Sequence, residues 1–177
     1  MATAGITENI PPVCSWGIMG CANIARKVAR CMLLADNAKV ACVASRSLAK
    51  AQAFVAACKL NSAEAIEGYD ALLARADIDA VYIPLPTSLH LEWVVKAAAA
   101  GKHVLVEKPV ALHASELDTM LQACADNDVQ FMDGVMFMHH QRLQKIDKIL
   151  RGDPYNAFGD VQRVTSGFSF RRVSSPC

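Results

Sequence analysis

The segment Val104-Leu105-Val106-Glu107-Lys108-Pro109 decides which fold this chain is expected to adopt. Three apolar, strand-forming residues run directly into an acid, a base and a proline, as in a short buried strand of a parallel sheet that proline stops. Ligands of open α/β sheets bind just beyond the carboxyl ends of such strands. The segment therefore predicts that Lys108 lies at the functional edge of a sheet, with a solvated surface lysine as the ordinary alternative.

Short apolar runs and longer helical patterns alternate on both sides of this segment. We predict strands at 13–19, 39–44, near 65, 80–83, 103–107 and 129–132, and helices at 23–34, 47–59, 69–76, 88–100 and 114–127. Such alternation predicts parallel strands joined by right-handed helical crossovers. The expected fold class is therefore α/β, with a doubly wound parallel sheet of the Rossmann type.

Three regions of the chain differ in character. Residues 1–12 are polar and end in two prolines, so we predict a flexible tail, whereas residues 13–138 hold the alternating elements of one α/β domain. Residues 139–177 are predicted to contain only the first helix (141–150) and strand (159–170) of a second domain. A strand without partners presents an unpaired apolar edge, which favours self-association.

The composition argues against several classes of function. Hydrophobic residues make up 53% of the 177 residues and charged residues 20%, which is typical of a globular chain. A net charge of +1 gives no reason to expect a nucleic-acid partner, and no apolar run reaches the roughly 18 residues of a membrane span. Seven cysteines without a C-x-x-C pair, and no secretory signal, predict a cytoplasmic protein with reduced thiols and no metal site.

The turn after the first predicted strand, Gly20-Cys21-Ala22-Asn23-Ile24-Ala25, carries a degenerate dinucleotide fingerprint. It reads G-x-A-x-x-A, where the usual pattern is G-x-G-x-x-G/A. Gly20 provides the tight turn, and the helix that begins at Asn23 offers free N–H groups and the positive end of its dipole to a phosphate. A plain strand–turn–helix can show this spacing, but its position at the first βα unit favours a cofactor site.

The second predicted strand ends in Ser45-Arg46. Proteins that bind NAD usually place an acid near this point, on the ribose 2′-OH. A carboxylate would repel a 2′-phosphate, whereas a hydroxyl and a guanidinium would bind it. We therefore predict NADP in preference to NAD, with an ordinary surface charge as the alternative for Arg46.

Further candidates follow the next two strands. Pro84, Pro86 and Thr87 are expected to line the nicotinamide side of the cleft, and His90 either contacts the cofactor or caps its helix. Lys108, the predicted catalytic residue, could polarise a substrate hydroxyl or carbonyl, and Glu107 either orients it or bonds to backbone. The predicted cofactor-binding residues are Gly20, Cys21, Ala22, Asn23, Ile24, Ser45, Arg46, Pro84, Pro86, Thr87, His90, Glu107 and Lys108.

Taken together, these motifs resemble the Gfo/Idh/MocA oxidoreductase family. The matching segments are residues 16–25, 44–46, 86–90, 104–109 and 133–137, and the Glu-Lys-Pro triplet is the most characteristic of them. The Ser-Arg pair and the Asp-Gly-Val-Met-Phe segment look like the branch of NADP-dependent sugar and dihydrodiol dehydrogenases. The resemblance covers about residues 14–170.

This resemblance implies hydride transfer between NADP and a sugar, polyol or diol, with Lys108 matching the substrate-polarising lysine. It also implies that residues 13–138 form a NAD(P)-binding Rossmann domain and that residues 139–177 are the incomplete start of the family's C-terminal α/β domain. In the family that domain lines the substrate pocket, supplies a further catalytic His or Tyr and often builds the dimer. Residues 171–177 do not resemble its continuation, so we expect a truncated form of a longer parent that binds nucleotide with impaired turnover. An inactive dinucleotide-binding module or a non-productive splice form is the alternative.

Overall fold

The computed structural model describes residues 12–151 together with Gln162, Arg163 and Thr165. Its centre is a sheet of six parallel strands in the order β3-β2-β1-β4-β5-β6. The strands are β1 (Cys14–Met19), β2 (Ala38–Ser45), β3 (Glu64–Glu67), β4 (Ala80–Ile83), β5 (His103–Val106) and β6 (Phe131–Asp133). This order, which reverses direction between β1 and β4, confirms the predicted Rossmann-type fold.

The described residues also form six α-helices. They are α1 (Asn23–Leu34), α2 (Leu48–Ala57), α3 (Tyr69–Leu73), α4 (His90–Ala99), α5 (Ala114–Asp126) and α6 (Gln141–Arg151). Most bounds lie within two residues of those predicted, and α3 ends three residues before its predicted end. Two of the differences follow from the local backbone. The helix predicted to run to residue 59 ends earlier, because Lys59 adopts the left-handed conformation with φ +54°. The helix predicted from residue 88 begins as a 3₁₀ turn, Thr87–Leu89, and becomes α-helical at His90.

Alternating strand residues fill two cores on opposite faces of the sheet. Met19, Val81 and Val106 pack on the side of α4 and α5, whereas Ile18 and Val43 pack on the side of α1 and α2. Gly17 is the exception in β1, because a Cβ there would lie 2.8 Å from the Leu72 side chain. The absence of a side chain at Gly17 therefore lets α3 approach the sheet closely.

The chain divides into two compact units, of which the first ends at Val135 and the second begins at Met136. The second contains a 3₁₀ turn, Met136–His139, and the amphipathic helix α6. The predicted tail and the predicted strand at 159–170 fall outside the described residues, apart from Pro12 and the three isolated residues named above, which belong to no helix or strand. The domain bounds 13–138 and 139–177 stay predictions.

Two further searches cover the described residues only. None of their helices is both long and apolar enough to cross a membrane. They also contain no group of three or more His, Cys, Asp or Glu side chains arranged to hold a metal ion.

Candidate functional site

The turn between β1 and α1 presents backbone N–H groups at the carboxyl edge of the sheet. Gly20 has φ +113°, in the region that favours glycine, and its N–H donates to the Ala44 carbonyl over 2.7 Å. A side chain at Gly20 would come within 3.0 Å of the Leu85 side chain. Ala22 precedes α1 in extended conformation, and no side-chain cap is present at this end within the described chain. The Ala25 N–H donates to the Ala22 carbonyl over 3.0 Å, so the N–H groups of Asn23 and Ile24 are the ones open to an external acceptor.

A cavity of about 240 Å³ opens beside this turn. Its walls come from the β1–α1 turn, the end of β2 with the first turn of α2, the start of α3, and the loop after β4. The lining residues are Gly20, Cys21, Ala22, Ser45, Arg46, Ser47, Lys50, Tyr69, Pro84, Leu85 and Pro86. The structure thus brings together predicted residues from three separate segments of the sequence.

Some predicted residues do not line this cavity. Asn23 and Ile24 lie in the adjoining first turn of α1, and Thr87 lies in the 3₁₀ turn after the Pro84–Pro86 loop. Asn23 is exposed, and Ile24 and Thr87 are half-buried. Their contacts with a cofactor stay predictions.

The described wall of the cavity carries two cationic side chains and no carboxylate. Arg46 directly follows β2, and Lys50 lies four residues further on in the first turn of α2; both are exposed. Ser47 adds a hydroxyl between them. Sequence reasoning missed Lys50 and Ser47, although the four-residue spacing of Arg46 and Lys50 across the start of a helix was an available signal. A wall of this charge favours an anionic ligand.

Ser45 and Cys21 connect the turn to the end of β2. Ser45 is 7% exposed and its Oγ accepts the Ser47 N–H at 3.4 Å, while the Cys21 thiol donates to the Lys50 carbonyl at 3.6 Å. Burial raises the pKa of Cys21 more than the Ser45 hydroxyl lowers it, so the thiol stays protonated at neutral pH. The Ser45 hydroxyl therefore fixes the start of the β2–α2 connection, and its direct contact with a ligand stays a prediction.

Strand β5 brings Glu107 to the same edge of the sheet. The carboxylate is 7% exposed, with Oε1 accepting from the Tyr82 hydroxyl at 2.7 Å and Oε2 accepting from the Lys108 N–H at 3.2 Å. Burial and the neighbouring Glu107 carboxylate both raise the pKa of Tyr82, so its hydroxyl remains a donor. A Cβ at Gly134 would lie 3.1 Å from the same carboxyl group, so the glycine leaves room for it.

Lys108 lies beside the ends of both neighbouring strands. The Glu107 N–H donates to the Ile83 carbonyl of β4 over 3.2 Å, and the Gly134 N–H donates to the Val106 carbonyl over 2.7 Å. Lys108 itself is exposed, its ammonium group makes no ion pair within residues 12–151, and its bond to Pro109 is cis. This ammonium group is thus available to a ligand at the carboxyl edge of the sheet.

His90 lies between two loops of the site and is 1% exposed. Its Nδ1 lies 2.8 Å from the Val110 carbonyl, and its Nε2 lies 2.8 Å from the Leu85 carbonyl. Carbonyl oxygens only accept hydrogen bonds, and a neutral imidazole carries one N–H, so the neutral ring donates to one of the two carbonyls at a time. The observed contacts connect the loop after β4 with the loop after β5, and the predicted contact of His90 with a cofactor is untested.

The fold and the cleft together define a dinucleotide-binding domain of the Rossmann type. In such domains the ligand binds at the carboxyl ends of the strands, where the strand order reverses, here between β1 and β4. The family model described as "Oxidoreductase family, NAD-binding Rossmann fold", Gfo/Idh/MocA, matches residues 14–135. The chain belongs to this family, which confirms the resemblance drawn from its motifs.

Several relatives of known description are similar to the chain. A dTDP-3,4-didehydro-2,6-dideoxy-alpha-D-glucose 3-reductase of Streptomyces violaceoruber is 36% identical over 94% of this chain and 47% of the relative. A D-xylose 1-dehydrogenase (NADP(+)) of Haloferax volcanii is 38% identical over 88% of this chain and 46% of its own length. A 3-ketoreductase from Actinomadura kijaniata, solved in complex with NADP, superposes with a TM-score of 0.74 at 34% identity, over 81% of this chain and 45% of its own. The chain thus spans about half the length of the relatives it matches.

Proposed function

We propose that this chain binds NADP in the cleft between Gly20 and Arg46, as the nucleotide-binding half of an oxidoreductase that transfers hydride to or from a sugar, polyol or diol. The observation that carries the proposal is the described cavity wall, which holds Arg46 and Lys50 and no carboxylate. An acid would be expected there for the ribose of NAD. The NADP-bound 3-ketoreductase and the NADP(+) xylose dehydrogenase among the relatives support the same cofactor and a sugar substrate.

Each part of the cleft suits one part of the dinucleotide. The open N–H groups at the start of α1 suit the diphosphate, as helix N-termini do. Arg46 and Lys50 suit a 2′-phosphate, because guanidinium and ammonium groups form charge-assisted hydrogen bonds with phosphate oxygens. Pro84 and Pro86 lead from this cavity towards the end of β5 and Lys108.

Lys108 is the residue we assign to the reacting end of the substrate. When bound, NADP supplies the hydride acceptor, or the donor in its reduced form. The exposed ammonium group of Lys108 would hydrogen-bond the substrate oxygen and polarise its C–O bond. The Glu107 carboxylate fixes the backbone of Lys108 by accepting a hydrogen bond from the Lys108 N–H.

For these 177 residues by themselves, we propose nucleotide binding with impaired turnover. The first unit supplies the cofactor cleft and Lys108. Fast turnover also requires groups that orient the substrate and move its proton, and each of these effects contributes orders of magnitude to the rate. An inactive dinucleotide-binding module is the alternative, and it predicts binding with no turnover at all.

Nicotinamide fluorescence during titration with NADPH tests the binding proposal directly. We expect saturable binding to one site per chain. Assays with NADP and a panel of sugars, polyols and diols then separate slow turnover from none. A folded chain that shows no NADPH binding at millimolar concentrations would contradict the proposed function.

A further inference from the structure

Tyr69 contributes a hydroxyl to the cavity for which neither the sequence motifs nor the packing of the core gives a role. The residue is 8% exposed and lines the cavity. Its hydroxyl makes no hydrogen bond within the described part of the chain. The Ser15 hydroxyl is the only side-chain polar atom in that part that is both fully buried and unpaired, so the Tyr69 oxygen is accessible. The ring is therefore buried while the oxygen faces the open cavity.

The position of this ring is fixed from two sides. Tyr69 packs edge-to-face on Trp93, with the ring centroids 5.0 Å apart and the planes at 81°. The preceding residue, Gly68, has φ +85°, and its N–H donates to the Ser45 carbonyl over 2.8 Å. The start of α3 is thus tied to the end of β2, and the Tyr69 hydroxyl is held in place without a ligand.

This hydroxyl points at the fingerprint turn. It lies 3.8 Å from the position that a Cβ on Gly20 would occupy, on the side that glycine leaves open. Burial raises the pKa of the Tyr69 hydroxyl, and the nearby charge of Arg46 lowers it. Burial is the larger effect, so this pKa lies above its ordinary value. A protonated hydroxyl is a hydrogen-bond donor at neutral pH.

We infer that the Tyr69 hydroxyl donates a hydrogen bond to a diphosphate oxygen of the bound dinucleotide, beside the Gly20 turn. The inference rests on the proposed function and adds to it a side-chain ligand for the diphosphate. The hydroxyl lies beside the Gly20 turn, which leads into α1, whereas Arg46 follows β2 and Lys50 lies in the first turn of α2. The 2′-phosphate and the diphosphate therefore have separate protein donors.

The substitution Tyr69→Phe removes the hydroxyl and keeps the ring packed on Trp93. Dissociation constants would be measured for NADPH, ADP and 2′-AMP. ADP has a diphosphate and no 2′-phosphate, whereas 2′-AMP has a 2′-phosphate and no diphosphate. We expect NADPH and ADP to bind about tenfold more weakly, the loss typical of one hydrogen bond to a charged acceptor, and 2′-AMP to bind as before. Arg46→Ala is the matched contrast, since it should weaken NADPH and 2′-AMP and leave ADP unchanged.

The outcomes separate the inference from the proposed function. Equal NADPH binding by the wild type and Tyr69→Phe would overturn the inference alone, as would a loss confined to NADPH and 2′-AMP. No NADPH binding by the wild type would overturn both. Should Tyr69→Phe fail to fold, the wild type labelled with 3-fluorotyrosine serves instead, because its three tyrosines allow assignment by elimination. The Tyr69 fluorine signal should then shift with ADP and not with 2′-AMP, and the reverse would overturn the inference.

Discussion

The hydroxyl of Tyr82 donates a 2.7 Å hydrogen bond to the Glu107 carboxylate, and this bond joins neighbouring strands inside the core. Tyr82 is fully buried and Glu107 is 7% exposed. Buried carboxylates are costly unless hydrogen bonds replace the lost water. Here the second carboxylate oxygen accepts the N–H of Lys108, so the pair links the β4–β5 core to the backbone of the proposed substrate-polarising residue.

Removing the hydroxyl of Tyr82 should destabilise the fold. In Tyr82→Phe the Glu107 carboxylate loses its hydroxyl donor, at a cost of about 1.5–3 kcal/mol, the range for hydrogen bonds to charged groups. Urea unfolding of Tyr82→Phe, of Glu107→Gln and of the double variant would measure this cost and the coupling between the two residues. Strictly additive effects of the two substitutions would mean that the bond contributes nothing.

Lys108 should matter to chemistry and not to folding. Because its ammonium group is exposed and forms no ion pair within residues 12–151, Lys108→Met should change the free energy of unfolding by less than about 0.5 kcal/mol. Any turnover that the wild type shows with a sugar or diol should fall by about 100-fold or more. An unchanged kcat in Lys108→Met would remove this residue from the proposed mechanism.

Binding of NADPH should protect one cysteine and leave another unaffected. Cys21 lines the cavity, whereas Cys31 is exposed on α1 and does not line it. Alkylation would be followed by peptide mass spectrometry at mildly alkaline pH, since burial raises the pKa of Cys21 and thiolates are the reactive form. We expect NADPH to slow labelling of Cys21 several-fold and to leave that of Cys31 constant. Equal labelling of Cys21 with and without saturating NADPH would place the nucleotide elsewhere.

His90 should hold the two loops of the site together. His90→Phe removes the ring N–H, so the Leu85 or Val110 carbonyl that accepts from it loses its donor, which should cost about 1–3 kcal/mol where that group stays buried. Hydrogen exchange should accelerate in residues 85–89 and 110–112 before it changes in β1. His113→Gln, at an exposed position ahead of α5, is the control. Unaltered exchange in both loops would show that His90 does not brace them.

The sequence predicted the architecture more fully than the composition of the site. Helix α1 has the predicted bounds, because its apolar stripe and the fingerprint turn are both local signals. The end of α2 depends on the left-handed backbone of Lys59, which the residue type does not indicate. Tyr69 and Leu85 reach the Gly20 turn only through the sheet order, and the bond between Tyr82 and Glu107 spans two strands. Tertiary neighbours of this kind leave no local pattern in the sequence.

The preference between NADPH and NADH tests the central claim most directly. Both nucleotides would be titrated into three proteins: the wild type, the double variant Arg46→Ala/Lys50→Ala, and the control Arg30→Ala. Arg30 is an exposed arginine of α1 outside the cavity, and the titrations give one NADPH-to-NADH affinity ratio for each protein. We predict that the wild type and the control bind NADPH at least about tenfold more tightly than NADH, since each charge-assisted hydrogen bond to phosphate contributes about that factor. The double variant should lose this preference while keeping its affinity for NADH. Tighter binding of NADH by the wild type, or an unchanged ratio in the double variant, would contradict the account.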